Sequence, residues 1–274
     1  MNAPIKNLMA AGTVSLIMAF VIMAALAQCA SAATAIFQDG LDGYAGTEDN
    51  QILDPGTGFD DANVGGRNTF QLGNASPAST RRCLLRFDVS SLAGRFTSID
   101  SATITLKKSN LPAGSGTDDA EMYAIADNNA DWVEGTGQFV VQNGSSSWNS
   151  KQHPTAWIGG GGGGALGALQ DTIANVSGND AANTFYVFDL APSLVDHWVT
   201  IANAGVVIKE GAEIDGAGSG TDLQIEFYAA EFGAIADAPV RPKLTVTYTI
   251  IPEPATLSLL GLASLLMVGC RRKR

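Results

Sequence analysis

Histidine and cysteine are scarce in this chain, and the scarcity narrows its chemistry. Of 274 residues, two are histidine (His153 and His197) and three are cysteine (Cys29, Cys83 and Cys270). His153 adjoins Pro154 in a loop-like stretch and His197 lies within an apolar segment, neither with a nucleophile at a recognisable spacing. No Gly-x-Ser-x-Gly elbow, His-Glu-x-x-His pair or paired-cysteine metal motif occurs. A non-catalytic protein is therefore expected. Glycoside cleavage needs only two well-separated carboxylates, for which Asp131 and Glu134 are the pair to consider. Cys29 and Cys270 lie in the terminal segments, so Cys83 stands alone between them and no disulfide can form there. A body of roughly 215 residues buries enough core to do without one. Cys83 shares a strand face with Leu85 and Phe87 and reads as a buried thiol rather than a nucleophile.

Positive charge is also in short supply, with 16 Lys and Arg against 27 Asp and Glu. Five of the basic residues, Lys6, Arg271, Arg272, Lys273 and Arg274, sit at the ends; setting them aside leaves 11 against 27, a net −16. Such a chain disfavours nucleic acid, whose binding depends on cationic contacts to phosphate. It suits divalent cations. No internal repeat and no long polar or proline-rich linker divides the body, so one domain is expected over residues 33–250.

Both ends carry signals. Lys6, the apolar run Leu8 to Leu26 and the small residues Ala30-Ser31-Ala32 before Ala33 have the layout of a signal peptide over residues 1–32. A lipoprotein reading at Leu26-Ala27-Gln28-Cys29 is the weaker one, because Gln28 is not small. At the other end, Pro252-Glu253-Pro254 is followed by an apolar run from Thr256 to Val268 and then Arg271-Arg272-Lys273-Arg274. The prolines stop the preceding strand and leave Glu253 extended. The uncharged run of about 15 residues is a minimal membrane span, which the basic tail would fix with its end in the cytoplasm. This three-part order over residues 251–274 resembles the PEP-CTERM sorting signal of Gram-negative bacteria that secrete exopolysaccharide. The resemblance implies an exosortase-type processing enzyme as partner and a place at the cell surface or in the extracellular matrix. An ordinary C-terminal membrane anchor is the alternative.

Between the signals the pattern is all-β. Ala102, Ile104 and Leu106 alternate with Thr103, Thr105 and Lys107, as do the residues of Lys243 to Thr249, which is the period of a half-buried strand. Further strands are expected at Ala35 to Gln38, Asn68 to Leu72, Arg82 to Val89, Glu121 to Ala126, Thr184 to Leu190, Gly205 to Lys209 and Leu223 to Ala229. Ala191 to Val199, with Leu194, Val195 and Trp198 on one face, predicts a short helix. The six glycines Gly159 to Gly164 lack the Gly-Lys-Ser/Thr of a phosphate loop and predict a mobile surface loop.

Phe37-Gln38-Asp39-Gly40, Arg81 to Asp88, Asp131-Trp132-Val133-Glu134-Gly135, Trp148, Trp198 and Arg241 to Val246 fall in the order seen in DNRLRE-type domains. The chain resembles that family from Phe37 to Tyr248, although Arg82 to Asp88 only approximates the eponymous motif and no catalytic domain adjoins it. The resemblance implies a jelly-roll-like β-sandwich, flanked here by the signal-peptide helix and the C-terminal hydrophobic helix. It also implies a carbohydrate-binding module for extracellular, often acidic, polysaccharide.

Sugar platforms are usually indoles, and Trp132, Trp148, Trp157 and Trp198 are the candidates. Trp132, Trp148 and Trp198 read more readily as core. Trp157, beside Pro154 and the glycines, is equally suited to either role. Acids cluster early, at Asp39, Asp42, Glu48, Asp49, Asp54, Asp60 and Asp61. A solvated acidic loop is one reading. The other is a structural calcium site built from hard oxygen ligands, for which Asp39 and Asp42 with Glu48 or Asp49 are the expected set.

Overall fold

The computed structural model describes residues 31–76, 79–110, 114–213 and 221–251. The two expected terminal helices and the Pro252-Glu253-Pro254 motif lie outside them. Among the described residues no helix is long and apolar enough to cross a membrane.

Ala33–Tyr248 is one compact unit, and it is built of strands. In chain order they are β1 (Ala32–Phe37), β2 (Thr47–Leu53), β3 (Ala62–Asn63), β4 (Thr69–Ser76), β5 (Ser79–Phe87), β6 (Phe96–Lys107), β7 (Thr117–Ile125) and β8 (Val140–Val141). There follow β9 (Ser150–Gln152), β10 (Thr155–Ala156), β11 (Leu166–Ser177), β12 (Phe185–Leu190), β13 (Val206–Glu210), β14 (Gln224–Tyr228) and β15 (Lys243–Ile250). The α-helix among the described residues, α1 (Pro192–Thr200), packs on β6 and buries Val195 and Trp198.

The strands form a four-stranded sheet, β1-β15-β6-β12, and a seven-stranded sheet, β11-β7-β13-β5-β4-β14, with β2 also paired to β5. The alternation in the sequence becomes the inner face of the smaller sheet. Tyr186, Phe188 and Leu190 on β12 lie opposite Leu106, Ile104 and Ala102 on β6, and all are buried. Tyr186 bridges to the larger sheet by an edge-on contact with Phe227, centroids 5.5 Å apart. The two sheets make a β-sandwich.

The larger sheet is buried on both faces, which alternation alone does not foretell. On β5, Cys83, Leu85 and Phe87 are fully buried, and so is Leu84 between them. Leu84 lies opposite Asn50 on β2 and Val207 on β13, and joins a second core with Ile52, Ile125, Trp132, Trp148, Trp157 and Ala204. That core is roofed by the excursion between β7 and β11, which carries three of the four tryptophans, the small pair β9–β10, and β8, whose partner β3 lies between β2 and β4.

Six strands were not foreseen: the short β3, β8, β9 and β10, and the longer β2 and β11. β2, Thr-Glu-Asp-Asn-Gln-Ile-Leu, falls in the stretch expected to be an acidic loop. Asp and Asn disfavour strands because they bond their own backbone. Here they find other partners: Asn50 donates to Ser146 O and Oγ and accepts from Val64 N–H. β11 pairs with β7 through three register irregularities, which blur any period in its sequence.

Candidate functional site

Three features of the body bear on function: how its tryptophans are held, where its carboxylates meet, and where its surface is concave. The first corrects the platform reading of Trp132, Trp148 and Trp157. These side chains are 0, 6 and 4 % exposed, and a pyranose cannot stack on a ring face that is already packed. Two arginines of β5 fix two of them. Arg82 lies over the Trp148 ring at 4.8 Å and Arg86 over that of Trp132 at 4.6 Å, one on each side of Leu84. Trp132 Nε1 donates to Ala204 O at 2.8 Å and Trp157 Nε1 to Ser147 O at 2.9 Å. An indole that is buried and has its N–H satisfied is a core residue. The alternation Arg82-Leu84-Arg86 was the available signal, since two cations flanking a core residue on one strand face demand aromatic or acidic partners.

Arg82 is buried with Glu213, its Nη2 at 2.6 Å from Glu213 Oε1, and its Nη1 donates to Gly162 O at 2.8 Å. The six-glycine run is therefore a fitted cover, not a mobile surface loop. A methyl group added at Gly161 would stand 2.8 Å from the Trp148 ring, and one at Gly162 2.5 Å from Arg82 Nη1. Gly162 also has φ +73°. The missing side chains let the backbone close over the arginine and the indole.

The carboxylates meet elsewhere than expected. Asp39 Oδ1 accepts from Thr47 N–H at 2.9 Å, Asp42 sits exposed in a turn, and Glu48 is paired with Arg86. Of the expected calcium set only Asp49 enters a cluster, with Glu134 and Glu231, whose oxygens all lie within 4.8 Å of one another. Glu134 Oε1 accepts from Asp49 N–H, and Asp49 Oδ2 accepts from Ala230 N–H. Glu231 is far along the chain, so no spacing rule could find it. Burial, with Asp49 and Glu231 beside it, pushes the Glu134 carboxyl up to about 10. Burial also raises Asp49 and Glu231, each with a neighbouring acid adding to the effect. Three hard oxygen donors at this separation fit a divalent cation such as calcium by donor type, and a cation there would compete with the protons that the raised values imply.

Beside the cluster is a cleft of about 540 Å³ lined by Thr47, Glu48, Arg86, Asp88, Glu134 and Asn203. A second, of about 530 Å³, lies between Pro55, Arg82, Trp148 and the glycine run. The histidines face aspartates: His197 Nε2 lies 2.9 Å from Asp127 and His153 Nδ1 3.9 Å from Asp61. Asp131 pairs with Lys151 at 2.7 Å, which holds its carboxyl below the usual range.

Comparison with known proteins bears on the C-terminal segment more than on the body. The empty-head Turnip yellow mosaic virus structure (ATC, 100 K) is similar over 81 % of this chain and 83 % of that one, at 11 % identity and a TM-score of 0.23, too low to carry an argument. No curated protein matches. Residues 251–274 match the PEP-CTERM protein-sorting motif. The C-terminal segment thus carries the PEP-CTERM protein-sorting motif, which implies that the protein is exported and sorted by an exosortase.

Proposed function

We propose that this is a non-catalytic surface or matrix protein whose sandwich associates with extracellular polysaccharide. The observation that carries the reading is the polar cleft of about 540 Å³ on an exported body. Its volume falls in the range of small-molecule sites and suits one or two sugar rings. Glu48, Asp88 and Glu134 can accept from sugar hydroxyls, while Arg86 and Asn203 can donate to them or to a uronate carboxylate. The net negative charge of the body repels an acidic glycan unless cations intervene. The adjoining Asp49, Glu134 and Glu231 cluster is suited to calcium, which would bridge the two. The resemblance to DNRLRE-type domains supports the same ligand class.

A structural matrix protein with no defined ligand is the second reading, favoured by the burial of all four indoles. Affinity electrophoresis of residues 33–250 through gels holding acidic or neutral polysaccharides, with calcium or with a chelator, separates the two. The module reading predicts retardation in a restricted set of acidic gels, weakened by chelation and by Asp88→Ala. Equal migration in every gel would favour the structural reading.

A further inference from the structure

With the indoles buried, phenylalanines supply a pair of aromatic rings at the surface. Phe59 and Phe139 are 46 and 39 % exposed and meet edge-on, centroids 5.6 Å apart. The Arg67 guanidinium lies over the Phe139 ring at 5.2 Å, and Val140 and Val141 of β8 continue the apolar surface. The segments that carry the rings are stitched together. Phe139 N–H donates to Asn63 O, Gly66 N–H to Gly137 O and Gln138 Nε2 to Gly66 O, at 3.0, 3.0 and 2.9 Å. Phe139 itself has φ +60°, in the left-handed region. A bulky side chain is strained there, and strain of this kind gathers at binding sites.

Arg81 is a second cation beside Arg67. Its Nε and Nη1 are buried without a hydrogen-bond partner. Burial, with the charge of Arg67 added to it, lowers Arg81 from its usual value. Among the described residues neither arginine is in an ion pair. The acids that follow Phe59 are held elsewhere: Asn149 Nδ2 donates to Asp60 at 2.8 Å and to Asp61 at 3.1 Å. On a strongly acidic body, two unpaired guanidiniums beside bare rings complement an anion that also has an apolar face.

We propose that Phe59, Phe139, Arg67 and Arg81 form a second glycan site, which takes a sugar residue bearing a carboxylate. The C–H face of the sugar stacks on the phenyl rings, and the carboxylate accepts from the planar fork of Arg67. Arg81 turns its unpaired donors to the same group. A two-ring patch matches one or two sugar units and falls short of the roughly 800 Å² per side of a stable protein interface. The site shares no lining residue with either cleft. It rests on the polysaccharide reading for the source of its ligand, and stands even if the polar cleft is empty of sugar.

The full chain, purified in detergent and held in excess chelator, is titrated calorimetrically with hexagalacturonate and with maltohexaose. Hexagalacturonate should bind at least tenfold more tightly than the neutral sugar, and less tightly as salt rises. Arg67→Ala and Phe139→Gly should each weaken it about tenfold or more, with Asp88→Ala in the polar cleft leaving it unchanged. Glycine suits the backbone at φ +60°, so Phe139→Gly should keep the fold, as circular dichroism will show. No binding of hexagalacturonate, or equal binding of both oligosaccharides, would overturn the proposal. So would binding that survives both substitutions. Binding lost only in Asp88→Ala would place the ligand in the polar cleft, overturning this site while sustaining the function proposed above. A dimer that Phe139→Gly converts to monomer, with sugar binding unchanged, would assign the rings to a second copy of the chain instead.

Discussion

At the residue scale, single side chains here are committed to partners that the sequence does not place beside them. Arg82 is 3 % exposed and neutralises the buried Glu213 carboxylate while stacking on Trp148. Truncation to alanine takes the guanidinium away from that carboxylate, and breaking such a buried pair costs ~3–5 kcal/mol. Arg82→Ala is therefore expected to lower the urea midpoint sharply. Arg82→Lys should recover little, because an ammonium cannot serve Glu213, Gly162 O and the ring together. Gly162→Ala meets a left-handed backbone and Arg82 Nη1 at once. A loss of ~1–3 kcal/mol is predicted, and an unchanged melting temperature would show that the run is as mobile as its composition suggests.

The proton-holding acids give a pH dependence with a definite sign. The Glu134 carboxyl titrates near its ordinary 4.5 in the unfolded chain and at about 10 in the folded one. Between those values the folded state keeps a proton that the unfolded state has released, so stability is greatest below about 4.5 and falls as pH rises toward 10. The slope for one such group approaches ~1.4 kcal/mol per pH unit at most, less here because Glu231 is open to water. Denaturation across this range should show a shallower decline in Glu134→Gln than in the unaltered protein, and parallel profiles would contradict the placement of Glu134 in the cluster.

At the element scale, legibility followed the period of the sequence. β6 and β15 alternate cleanly and have one wet face, and both lie where the pattern puts them. The short helix α1 is likewise within a residue of its expected bounds. β2 was hidden because its polar residues are buried against partners up to 181 residues away, as Asp49 is against Ala230. The excursion between β7 and β11 has no strand period in its sequence, yet it supplies Trp132, Trp148 and Trp157 to the second core; the sequence favours core for the first two and leaves the third open. A run of glycines signals close approach as readily as mobility, and only the neighbours decide between them. The candidate site was legible only in part: Asp49 and Glu134 are in motifs that the sequence singles out, but Glu231 reaches them through the fold. Because Trp157 anchors the excursion, Trp157→Ala should cost ~3–5 kcal/mol as a large core truncation and speed proteolysis between residues 127 and 165. Loss of glycan retardation without loss of stability in that variant would return Trp157 to a platform role.

At the scale of the whole molecule, a sandwich stabilised by two cores needs no disulfide, and its one cysteine in the described residues is buried. The chain joins an acidic, single-unit body to a PEP-CTERM motif, which implies export and sorting by an exosortase. Association with extracellular polysaccharide is the claim on which the account turns. The most direct measurement is the distribution of the protein between cells, matrix and medium in a producing culture, before and after enzymatic depolymerisation of the matrix polysaccharide. The account predicts that the processed protein is in the matrix and passes into the medium when the polysaccharide is cut. Retention with the cells or matrix after complete depolymerisation would contradict it.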